Sequence, residues 1–110
     1  MTLQAVSFKC YASSMETARQ TLRTRKTTMR CQELVELLTR LGFIVRDGRR
    51  GGHKIFTHSG LPEFTSASFN CGHGRNPEIK PAYIQNILRI IEAHEDSLKT
   101  YLTGGGPEND

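Results

Sequence analysis

No tryptophan occurs in these 110 residues, and apolar residues make up only 36% of them against 24% charged. That balance is lean for a soluble globular chain and supplies one domain with one modest core. No stretch approaches the ~18 consecutive apolar residues of a membrane span. No long apolar run follows a basic start, so no secretory signal is expected. Cys10, Cys31 and Cys71 are odd in number and far apart. They imply no disulfide framework, which makes a reducing cytoplasm the simpler expectation. Paired ligands of the C-x-x-C kind are missing too. A metal set built from Cys71-x-His73 with His53 or His58 is therefore disfavoured, and neither metal nor cofactor is expected.

Positive charge is present in modest excess. Lys+Arg number 15 and Asp+Glu 11, a net charge of +4. Arg19, Arg23, Arg25, Lys26, Arg30, Arg40, Arg46, Arg49, Arg50 and Lys54 crowd into one third of the chain, opposed there by Glu33, Glu36 and Asp47. Such a region is either a solvated face or the footprint of a polyanion.

Loose alternation over residues 1–12 suggests a short strand. Ser13 and Glu16 have capping-box spacing, which predicts a helix running to about Lys26 with Met15, Ala18 and Leu22 as its apolar stripe. Leu34, Leu37, Leu38 and Leu41 follow the 3.6-residue period over 31–42, and Gly42 is placed to end that helix. Residues 43–47, 53–58 and 64–70 read as three strands joined by turns at 48–52 and 59–62, an antiparallel meander. Pro81 suits a first helical turn, and the apolar period then runs to Leu102. A helix over 81–102 would be roughly 33 Å long, longer than a strand of ~17–20 Å. Its overhang, His94 to Leu102, needs the N-terminal helix or a partner chain to pack on. The expected fold is α+β: a three-stranded antiparallel sheet with helices on one face, α-β-β-β-α, preceded by a helical extension at 1–29. Residues 30–103 form the domain and 104–110 a disordered tail.

One sheet face is then open, and strand parity bears on what it displays. Phe56 is the best core candidate of the second strand, and residues three apart point to opposite faces. His53 then stands in the open with Ile55 and Thr57, beside a turn carrying Arg49 and Arg50, with Lys54 following. A histidine with an ordinary pKa of ~6.5 exchanges protons at neutral pH. Cations hold a phosphate and stabilise its transition state. Gly51 and Gly52 let backbone N–H groups approach it. These are the parts for attack of a ribose 2′-OH on its own 3′-phosphate. Composition alone favours a solvated hairpin with an incidental histidine. His73 reads either as a general acid or as an exposed loop histidine. His58 ends its strand with its direction undetermined, and His94 reads as a surface residue. Lys80 and Arg75, near the start of the last helix, face an electropositive end suited to phosphate, or are simply solvated.

Residues 30–92 resemble the HicA family of mRNA interferase toxins. The elements that carry the resemblance are Glu33–Phe43, Gly52-His53-Lys54-Ile55-Phe56, His73-Gly74, and Ile79-Lys80-Pro81 with Ile84, Ile87 and Leu88 beyond. Their order and spacing are more specific than any one alone. The resemblance implies a double-stranded-RNA-binding-domain-like (dsRBD-like) fold and a ribosome-independent endonuclease, a hydrolase of mRNA. It also implies His53 as the catalytic histidine, His73 as a second, and a HicB antitoxin that covers the active face. Arg49, Arg50, Lys54, Gly51, Gly52 and Lys80 are the expected RNA-binding residues. The alternative from another class is a non-catalytic RNA-binding or protein-interaction module on the same fold.

Overall fold

The computed structural model describes residues 15–104. Helix α1 covers residues 15–24. Helix α2 (Cys31–Arg40) leads into strands β1 (Ile44–Asp47), β2 (His53–Thr57) and β3 (Ala67–Asn70), and then into helices α3 (Pro81–Ala93) and α4 (Glu95–Leu102). The strand expected within 1–12, the Ser13 cap and most of the tail lie outside the described residues. The sheet is an antiparallel meander in the order β1-β2-β3. The fold is α+β, as the periodicities predict.

Leucines at i, i+3 and i+4 seat α2: Leu34, Leu37 and Leu38 are buried. Its first turn needs acceptors, and the Arg30 side chain at the N-cap offers only donors. Glu33 Oε1 accepts from the Arg30 N–H at 2.9 Å, and Asn76 Oδ1 accepts from the Gln32 N–H at 2.9 Å. A distant loop thus caps the helix. The sheet's inner face is aromatic. Phe56 sits at its centre, with ring centroids of Phe43, Phe64 and Phe69 at 5.4, 5.8 and 5.9 Å.

The added helix is part of this core. Met15, Ala18 and Leu22 are buried in the same cluster as Phe56 and Ile84. Arg19 pairs with Glu95, and Arg23 with Glu92. An exposed pair such as Arg23–Glu92 contributes about 0–1 kcal/mol, whereas burying one leucine contributes roughly 1.5–3 kcal/mol. Leu22 therefore holds α1 more firmly than Arg23 does.

Three expectations need correction. The last helix is not continuous: it stops at His94 (φ −114°, ψ 27°), and α4 starts afresh. The break lets α4 bury Leu98 while the Tyr101 ring reaches His58, 4.6 Å between centroids. The cysteines also do not stay apart. Cys31 and Cys71 are joined by a disulfide, with Cα atoms 5.4 Å apart across a sequence separation of 40. A bridge closing a loop of that size stabilises by about 4 kcal/mol in the chain-entropy account. The strands are also shorter than expected; Phe43 and Phe64 precede β1 and β3 yet still join the aromatic cluster.

Candidate functional site

β2 begins at His53, and its register places neighbours on both sides. Ile55 lies opposite Arg46 on β1 and opposite Ser68 on β3; His53 lies opposite Asn70, and Thr57 opposite Ile44. With Phe56 buried inside, these residues share the outer face by alternation. Among the described residues nothing covers that face: Ile44 is 59% exposed, and Arg46, Ser68 and Asn70 are exposed as well. His53 is half-buried at one end of it.

The turn that presents His53 is built by its backbone. The Gly48 N–H donates to the His53 carbonyl at 2.8 Å, and the His53 N–H to the Arg50 carbonyl at 3.1 Å. The imidazole lies directly on Gly48, where an added Cβ would stand 2.2 Å from its Cδ2. Gly52 has φ 83°, and an added Cβ would meet the Gly72 carbonyl oxygen at 2.4 Å. No side chain is compatible with that position. Gly51 differs, since an added Cβ there meets nothing within 4 Å.

Arg49 and Arg50 are exposed and, among the described residues, pair with no carboxylate. Lys54 is not with them. Alternation turns it to the other side of the strand from His53, where its Nζ is 2.5 Å from Asp47 Oδ1. The grouping of Lys54 with His53 around one phosphate is not what the strand presents. His73 is exposed in the loop after β3. With Gly51, Gly72, Glu78, Lys80 and Tyr83 it lines a cavity of about 190 Å³. Three of the expected residues, Gly51, His73 and Lys80, thus meet in one place, while His53 lies outside that lining. The fourth wall of interest is Asn70, whose Oδ1 accepts from the Gly72 N–H at 2.7 Å. Asn70-Cys71-Gly72 is an Asx turn, and its Asn-x-Gly pattern is legible in principle from turn chemistry.

His58 has a different role. It is buried, its Nδ1 accepts from the Gly60 N–H at 3.0 Å, and its Nε2 lies 2.9 Å from the Leu41 carbonyl. Those partners assign the proton to Nε2 and leave the ring neutral. Burial lowers its pKa below the ordinary 6.5, against the Leu41 hydrogen bond and aided by His94. The unfolded histidine therefore takes up its proton at a higher pH than the folded one. Its contribution is fully present above pH ~6.5 and is lost as the pH falls below that. Urea unfolding at pH 7.5 and 5.5 should show lower stability at 5.5, and His58→Gln should flatten the difference. Equal slopes in both proteins would show that His58 is not the sensing group.

Cys71, weighed as a ligand beside His73, has its sulfur bonded to Cys31. Among the described residues, no helix is long and apolar enough to cross a membrane. The family described as HicA toxin of bacterial toxin–antitoxin matches residues 31–93. The chain belongs to the HicA toxin family. It carries a toxin domain, and membership implies an antitoxin partner. No curated protein and no solved structure matches the chain. The HicA match begins where α2 begins and ends where α3 ends. Helices α1 and α4 therefore lie outside it, bound to each other through Arg19 and Glu95.

Proposed function

We propose that this HicA toxin is a metal-independent endoribonuclease acting on mRNA in the cytoplasm, with His53 as general acid or base. The observation that carries this is the placement of His53 at the end of the exposed sheet face, next to Arg49 and Arg50, which among the described residues pair with no carboxylate. In the proposed reaction a histidine nitrogen takes the proton of a ribose 2′-OH. The 2′-oxygen attacks the adjacent phosphorus, the bond to the 5′-oxygen breaks, and that oxygen takes up a proton. The products are a 2′,3′-cyclic phosphate and a 5′-hydroxyl. The arginines neutralise the phosphate as charge builds on it. His73 is the second candidate for proton transfer, and the Gly51–His73–Lys80 cavity would take a neighbouring phosphate. A HicB-type antitoxin covering the open face would block all of these at once.

A 2′-deoxy nucleotide at the cleaved position tests the chemistry. Cleavage there should vanish while binding persists, and continued cleavage of the deoxy substrate would exclude attack by the 2′-oxygen. Gly48→Ala tests the seating of the histidine. Its Cβ would displace the imidazole, so cleavage should fall about 10–100-fold with the unfolding midpoint nearly unchanged. Wild-type cleavage by this variant would show that the ring position on Gly48 is immaterial.

The engagement of Lys54 by Asp47 favours a second reading, a module that binds RNA or protein without cutting. RNA bound at low salt and intact after hours would choose it.

A further inference from the structure

We propose that Cys31 and Cys71 form a reversible thiol–disulfide site that exchanges with small-molecule disulfides and sets the order of the loop beside His53. Its effect on RNA cleavage rests on the ribonuclease reading above; its effect on the loop does not.

The bridge joins the first residue of α2 to the residue that follows β3. Cys71 touches the site directly, since its N–H donates to the Gly52 carbonyl at 2.6 Å. Gly52 immediately precedes His53, and the next loop residue, Gly72, is the backbone that packs against it. The loop then runs through His73 to Asn76. Its far end is fixed without the disulfide. Asn76 caps α2 through Gln32, the Arg30 guanidinium donates to the Asn76 carbonyl at 2.8 Å, and the Cys31 N–H donates to the Pro77 carbonyl at 2.8 Å. The near end, Cys71 to Gly74, is held by the bridge, by the Cys71 N–H on Gly52 and by the Gly72 N–H on Asn70 Oδ1, both of the latter short-range to the strand ends. Opening the bridge therefore loosens the segment that carries His73 and leaves the helix cap in place.

The two cysteines are unequally exposed. Cys71 is 4% exposed, while Cys31 is half-buried. Exchange would begin at Cys31. A small thiolate attacks its sulfur, the protein S–S bond breaks, and Cys71 leaves as a thiolate that takes a proton from water. A second small thiolate attacks the mixed disulfide, releasing Cys31 as a thiolate, which is likewise protonated, and one small disulfide. Two small thiols are oxidised and the protein disulfide is reduced to two thiols; oxidation is the reverse.

The test uses the Cys10→Ser chain, so that the pair supplies the only thiols. Glutathione buffers of varied reduced-to-oxidised ratio are applied, free thiols are counted by alkylation and mass, and amide hydrogen exchange is followed. Reversible conversion between no free thiols and two is expected. On reduction, exchange at the hydrogen-bonded Cys71 and Gly72 amides should speed up by about tenfold or more, with α2 unaffected. Cys31→Ser should reproduce the fast-exchanging state in any buffer. A fixed thiol count at every ratio, or equal exchange in the two states, overturns the proposal. RNA cleavage, measured alongside, is expected to fall several-fold on reduction. Equal cleavage in both states removes the link to the site. No cleavage in either state overturns the ribonuclease reading alone, because the exchange readout needs no RNA.

Discussion

The His53→Ala protein is expected to lose RNA cleavage by about 10²–10⁴-fold, the usual contribution of a positioned proton-transfer group. Its fold should survive. His53 is half-buried at a strand end, lies outside the hydrophobic cluster, and rests on the backbone of Gly48 rather than among core side chains. Substitutions at such positions shift stability by about 0.5 kcal/mol or less. The hairpin bonds beside it run between backbone groups of Gly48, Arg50 and His53, which alanine retains. Loss of activity with an unchanged urea midpoint is thus the expected pair of results. His58→Ala is the contrasting control. That ring is buried with both nitrogens hydrogen-bonded, so its loss should lower stability first. If His53→Ala cleaves RNA like the wild type, His53 does not transfer the proton.

Phe56→Ala should cost about 3–5 kcal/mol, the range for deleting a fully buried aromatic side chain. A domain of this size has about 5–15 kcal/mol in all, so the variant should sit near the edge of folding. Phe56 is 0% exposed and touches Phe43, Phe64 and Phe69 at once. Removing it leaves three rings facing a void that the sheet backbone cannot close. Chemical denaturation measures this directly, and a loss below about 1 kcal/mol would mean that the site collapses far better than its packing suggests. The two residues stand three apart on β2 and point to opposite faces. One variant should lose chemistry without stability, and the other stability first.

That opposition was readable from the sequence, because a strand alternates strictly with period 2. The same parity turns Lys54 away from His53 and towards Asp47, so nearness in sequence alone does not bring the two together. The meander and the α2 stripe were legible for the same reason: Leu34, Leu37, Leu38 and Phe56 carry local periodicity. The break at His94 was not legible. Ile84, Ile87, Ile91 and Leu98 continue one helical period across it, and only the packing of Leu98 and Tyr101 on the rest of the molecule places the bend. The Cys31–Cys71 bridge depends on how the whole meander returns to the start of α2, across 40 residues, so spacing alone cannot reveal it. His58 stands at a strand end where parity fails, and its role is set by Leu41 and Gly60 on its two nitrogens, contacts that no local pattern encodes.

The central claim is that His53, on an open sheet face, drives cleavage by the RNA's own 2′-oxygen without a metal. The most direct measurement incubates wild type and His53→Ala with one RNA in excess chelator and determines the 3′ ends of the products. The account predicts 2′,3′-cyclic phosphate ends from the wild type and almost no product from His53→Ala. Loss of wild-type cleavage in chelator, or products ending in a 3′-hydroxyl, would contradict it.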